Sequence, residues 1–123
     1  MMRALTLIAA LTLTGCETME PPAVRDGCDV KVDFGSYAMG VDGELKSRIL
    51  AFVEGSDDVV DAAETSWGRE GESTLCVLAA GASATDRVYG RIAGLIPVRS
   101  ERAPTTVTHR DGRTKSSSLP PRS

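Results

Sequence analysis

Aromatic side chains are scarce in this chain: Phe34, Tyr37, Phe52, Trp67 and Tyr89 are the only ones among 123 residues. A nucleic-acid face needs aromatics interleaved with cationic residues, and here 17 Asp/Glu outnumber 14 Lys/Arg, so nucleic acid is discounted as a ligand. There is one histidine, His109, and the three cysteines form no CxxC pair. No metal or cofactor is expected from such a set, because zinc ligands at their usual spacing are missing. His109 is the only imidazole base available, in a Thr-rich segment beside a polar tail, and no catalytic residue is assigned. Gly35 and Gly40 have the spacing of a phosphate loop. Val41 and Asp42 follow where Lys and Ser/Thr would reach phosphate and magnesium, so a nucleotide loop is excluded and no small-molecule substrate is inferred. Finally, the apolar stretch from Ala4 to Leu13 is far too short to cross a bilayer as a helix.

What is present at the start of the chain is an address. Arg3, the apolar stretch and Gly15 just before Cys16 have the layout of a secretory signal peptide over residues 1–15. Leu13-Thr14-Gly15-Cys16 resembles the lipobox of bacterial lipoproteins at every position. The resemblance implies that Cys16 is diacylated on sulfur and becomes the new N-terminus. It then usually receives a third chain. Each buried CH₂ contributes about 0.8 kcal/mol, so two or three acyl chains are what make an anchor stable. The implied partner is therefore the lipid bilayer, held through acylated Cys16 without a membrane span. Glu17 stands where an Asp favours inner-membrane retention in enterobacterial lipoproteins, which points to the outer membrane, facing the periplasm.

Cleavage before Cys16 leaves 123 − 15 = 108 residues, enough for one domain with loose ends. Charge is uneven: Cys16 to Ile96 holds 7 bases and 15 acids, and Pro97 to Ser123 holds 6 bases and 2 acids. Such a basic tail either touches an anionic surface or is simply solvated. Cys28 and Cys76 remain once Cys16 is modified, and an oxidising compartment favours a disulfide between them over two free thiols. Closing that span removes about 4 kcal/mol of unfolded-chain entropy in the usual model.

The rest reads as alternating strands and helices. Residues 16–27, with Pro21-Pro22, suit a tether. Val30, Val32 and Phe34 alternate with Lys31 and Asp33 as a strand with one buried face. Val41, Leu45, Ile49, Phe52 and Val53 recur at helical spacing behind an N-cap at Asp42, predicting a helix from about Gly43 to Glu54. Asp57–Trp67 and Leu75–Ala80 read as two strands joined by a hairpin loop at Gly68–Glu72. Ser83-Ala84-Thr85-Asp86 has capping-box form, ahead of a helical face of Val88, Ile92, Leu95 and Ile96 that Pro97 ends. Thr105–His109 is a short fourth strand, and residues 111–123 read as a disordered basic tail.

The order βαββαβ predicts one α+β domain over residues 28–110, a ferredoxin-like two-layer sandwich with two helices on one face of a four-stranded sheet. A Cys28–Cys76 bridge between directly facing positions places Val32 opposite Glu72 and needs the first strand to start upstream of Cys28; otherwise the bridge is diagonal or lies outside the ladder, and the register stays open. Parity with Val30 and with Leu78 then turns both cysteines toward the helices. The stretch from Asp42 through Thr74-Leu75 to Val98 is also loosely similar to the BON domain. Val77 or Ala79 stands where that family has a glycine, so no residue is carried across.

Two surface features bear on function. Asp57, Asp58, Asp61 and Glu64 read as a solvated acidic strand edge, since Asp61 and Glu64 fall on opposite faces of a strand and no calcium-loop spacing surrounds them. Trp67 reads first as a core or lid residue. With Arg69 beside it and Tyr37 on the other loop, it also forms the surface with the residue types that anchor partners. The expected function is a non-catalytic, membrane-anchored binding or structural module of the cell envelope, with an envelope protein as a candidate partner. The alternative is an inhibitor or chaperone-like module acting on a protease or other secreted protein.

Overall fold

The computed structural model describes residues 27–118. Cys16, its lipobox, the expected signal peptide and nearly all of the expected tether lie outside the described residues, as do positions 119–123. The elements are β1 (Val30–Phe34), α1 (Gly43–Gly55), β2 (Val59–Ser66), β3 (Ser73–Ala79), α2 (Ala82–Leu95), β4 (Thr105–His109) and β5 (Thr114–Ser116). The five strands form one antiparallel sheet in the order β2-β3-β1-β4-β5, an α+β architecture with two helices.

Alternation builds the core. Val30, Val32 and Phe34 of β1, Leu75 and Val77 of β3 and Val107 of β4 are buried on one sheet face. Leu45, Ile49 and Val53 of α1 and Val88 and Ile92 of α2 cover that face, with Ile96 just beyond. Burying a side chain of this size contributes about 1.5–3 kcal/mol, so this single cluster is the main source of stability. Asp42 caps α1 as its spacing predicts, its carboxylate accepting from the Leu45 amide at 3.2 Å.

The structure corrects three expectations and decides one register, the third below, that the sequence leaves open. The sheet has five strands, because Thr114–Ser116 pairs with β4 inside the segment read as a disordered tail. Ser117 and Ser118 continue the attachment: the Ser117 amide donates to the Thr105 carbonyl, its hydroxyl accepts from the Thr105 amide, and Ser118 bonds to Val98 and Ser100. Second, α2 begins at Ala82 behind Gly81, whose φ of 104° favours glycine, and no side chain caps it. Ser83 lies already inside the helix, so the capping box is not used. Third, β1 and β3 pair with Val32 opposite Leu75 and Lys31 opposite Cys76. Cys28 precedes the ladder and still meets Cys76, with Cα atoms 5.2 Å apart, so the two cysteines form a disulfide diagonal to the strand pairing. Fourth, Cys76 stands between buried Leu75 and Val77 and so faces away from the helices.

Candidate functional site

Two loops meet at one end of the sheet. Residues 35–42 follow the end of β1, and residues 67–72 join β2 to β3, whose first residue Ser73 pairs with Phe34. Ser36 organises the first loop: its hydroxyl accepts from the amides of Ala38 and Gly40, each at 2.9 Å, and donates to Glu70 of the second loop at 2.7 Å. Ala38 is held there at φ 82°, a conformation that costs energy for any residue with a side chain. The second loop closes around Glu72, whose carboxylate accepts from the Glu70 amide and packs so tightly on Gly68 that a Cβ there would collide with it. Tyr37, Trp67 and Arg69 thus share one end of the molecule, Tyr37 half-buried and the other two exposed. Met39 on the first loop is 90% exposed.

Trp67 is not a core residue. It is 57% exposed and lies outside the buried cluster. Its amide donates to the Glu72 carbonyl, which extends the β2–β3 ladder by one pair and sets its side chain on the sheet face opposite the helices, in line with Thr65. The indole Nε1 donates to Thr74 Oγ1 at 3.0 Å, and Thr74 in turn donates to Asp33 Oδ1. Nothing in the sequence marks this relay; only the strand register brings residues 33, 67 and 74 together.

Two of the four acidic residues near β2 are paired with cations. Asp58 binds Arg87 through both oxygens, and this contact holds its carboxyl below the usual range. Glu64 points to the helix side, where Lys46 Nζ lies 2.5 Å away and the Ser73 hydroxyl donates at 2.6 Å; the Lys46 contact first and Ser73 second lower its pKa. Asp61 faces the other side, as the parity predicts. β2 is an edge strand and Glu64 on it is exposed, as the edge reading has it; Asp58 and Glu64 in addition each find a cation on the helix packed beside them.

His109, placed beside a loose tail by its sequence context, is instead buried at the end of β4, at 6% exposure. Its Nδ1 lies 3.0 Å from the Asp111 amide and 3.1 Å from Asp111 Oδ1, and its Nε2 lies 2.8 Å from Asp86 Oδ1. Arg113 also reaches Asp86 and stacks on Tyr89, whose ring meets the imidazole edge-on at 5.5 Å. The His109 hydrogen bond first and Arg113 second pull the Asp86 carboxyl below its usual range. A cavity of about 400 Å³ opens beside this cluster, lined also by Asp29, Thr85 and Arg110. Its groups are internally matched: Arg110 pairs with Asp29, and the Thr85 hydroxyl donates to the Gly81 carbonyl. No hydroxyl or thiol among the described residues bonds to the imidazole, so the arrangement orients a histidine without presenting it a nucleophile. Among the described residues no three His, Cys, Asp or Glu side chains converge as metal ligands, and no helix is long and apolar enough to cross a membrane. No family model, no curated protein and no solved structure matches this chain.

Proposed function

We propose that this protein is a lipid-anchored envelope module that binds another envelope component and performs no chemistry of its own. The observation that carries the reading is polarity of the fold. The N-terminal segment enters at Gly27, beside the start of β1, whereas the two loops bearing Tyr37, Met39, Trp67 and Arg69 lie past the end of β1, at the opposite end of the sheet. Eleven peptide steps separate Cys16 from Gly27 and span at most about 40 Å. An acyl anchor at Cys16 would thus join the domain at the end opposite these loops, leaving them clear of the attachment point for a periplasmic partner. The order β2-β3-β1-β4 supports a ferredoxin-like arrangement, with β5 as an added edge strand. The non-catalytic reading draws support from His109, whose two nitrogens are both engaged in holding β4 to α2 and the following turn.

Replacing Cys16→Ser tests the anchor. The parent chain is expected in the membrane fraction with an acylated N-terminal cysteine by mass spectrometry, and the variant in the soluble fraction. A variant that still sediments with membranes overturns the lipoprotein reading.

A further inference from the structure

We propose that the sheet face opposite the helices, with Trp67 as its platform, binds a glycan strand. The proposal rests on the envelope-module reading and names the ligand class of its exposed surface. Trp67 turns its one polar atom inward, Nε1 donating to Thr74 at 3.0 Å, while the ring stays 57% exposed. What remains outside is an apolar π-face, held by the Trp67–Thr74–Asp33 relay rather than free to rotate. Stacking on such a face satisfies the C–H side of a sugar ring, and the hydroxyls at the ring's rim need acceptors and donors nearby. The strand register sets polar groups on this face, at sheet spacing of about 4.8 Å between strands: Thr65, the relay pair Thr74 and Asp33, and Thr106 and Thr108, whose hydroxyls meet Ser116 and Thr114 and keep acceptor lone pairs for a ligand.

The same residues argue against other occupants. A second copy packing sheet to sheet needs interdigitating apolar side chains, and here the apolar members, Ala63, Leu78 and the Cys28–Cys76 disulfide, are interspersed with Asp33, Asp61, Lys31 and the threonines. Among the described strand residues of this face a polyanion meets Asp33 and Asp61 beside one cation, Lys31, so the charge suits a neutral, hydroxyl-rich ligand. Because the ring is pre-oriented, little side-chain freedom is lost on binding.

Trp67 is the only tryptophan, so its emission reports this site alone. The full chain, purified as the cell processes it and kept in a detergent without a sugar head group, is titrated with an N-acetylglucosamine tetramer. The expected result is a saturable change in emission, weakened about tenfold in Asp33→Ala and unchanged in Arg48→Ala on the helix side. In sedimentation with insoluble cell-wall polysaccharide, Trp67→Ala falls to background and Trp67→Phe, which keeps a ring, falls between. Circular dichroism of each variant checks that the fold is intact. No saturable response, an Asp33→Ala titration matching the parent, or undiminished sedimentation of Trp67→Ala overturns the proposal. None of these readouts depends on the anchor, so a failed glycan site leaves the Cys16→Ser result standing, and the reverse.

Discussion

At Glu64 two donors converge on one carboxylate under α1, and the Lys46 ammonium that supplies one of them also lies 5.4 Å from the centre of the Phe34 ring. Because the folded pKa lies below the ordinary 4.5, the contribution of this contact is complete above that value and is lost as the pH falls through the lowered one. Glu64→Gln is therefore expected to destabilise the protein by about 1 kcal/mol near neutral pH. The gap between variant and parent should close below the carboxylate range. Urea unfolding at neutral and at strongly acidic pH measures it; an equal gap at both would show that the carboxylate charge contributes nothing. The pairing was invisible in sequence, since Lys46 and Glu64 sit on different elements and only their packing makes them neighbours. Trp67 failed for the same reason. Its size argued for burial, and the hairpin register put it on the face that no helix covers.

Among elements, those with apolar periodicity were legible and those held by hydroxyls were not. β1 and α1 carry clean two- and 3.6-residue alternation, and the structure has them at the expected positions; β4, whose one apolar residue is Val107, was read from Thr and Val strand propensity ahead of a turn and is there too. β5 has no apolar alternation: Thr114, Lys115 and Ser116 read as tail, yet Ser116 meets Thr106 hydroxyl to hydroxyl and Lys115 Nζ donates at 2.8 Å to the Ala93 carbonyl in the last turn of α2. A cation at that position answers both an orphan carbonyl and the negative end of the helix dipole. Ending the chain after Gly112 should therefore loosen β4 from one side only. Hydrogen exchange is expected to speed up at the amides of Thr105 and His109, whose acceptors are Ser117 and Arg113. The Gly35 amide, bonded to Pro104 across the other side of β4, should stay protected. Uniform loss at all three positions would mean that β5 is needed for the whole fold. The start of α2 was misplaced because Ser83 offered a familiar cap while the turn itself is made by backbone at Gly81.

For the whole molecule the Cys28–Cys76 bridge is the largest single device outside the core. It closes 48 positions, which corresponds to about 4 kcal/mol in the chain-entropy model. Reduction, or Cys28→Ala with Cys76→Ala, should lower the melting temperature by at least about 10 °C. An unchanged transition would mean that the native packing alone constrains these ends. The pairing partner was readable from two leftover cysteines. The sequence left a facing, a diagonal and an out-of-ladder bridge open, because Cys28 lies ahead of the ladder and parity says nothing about a residue outside the strand.

The position of that bridge also sets how the fold answers a pull. Tension arriving through residue 27 reaches Cys28 first, and the covalent link carries it across to β3 before the hydrogen bonds between β1 and its two neighbours are strained. Two adjacent central strands then share the force. Peeling β1 out from its N-terminal end is blocked until the sulfur–sulfur bond breaks. If the proposed anchor and glycan site each hold one end of the domain, the force that separates β1 from β3 depends on whether this disulfide is intact, and reduction would lower it.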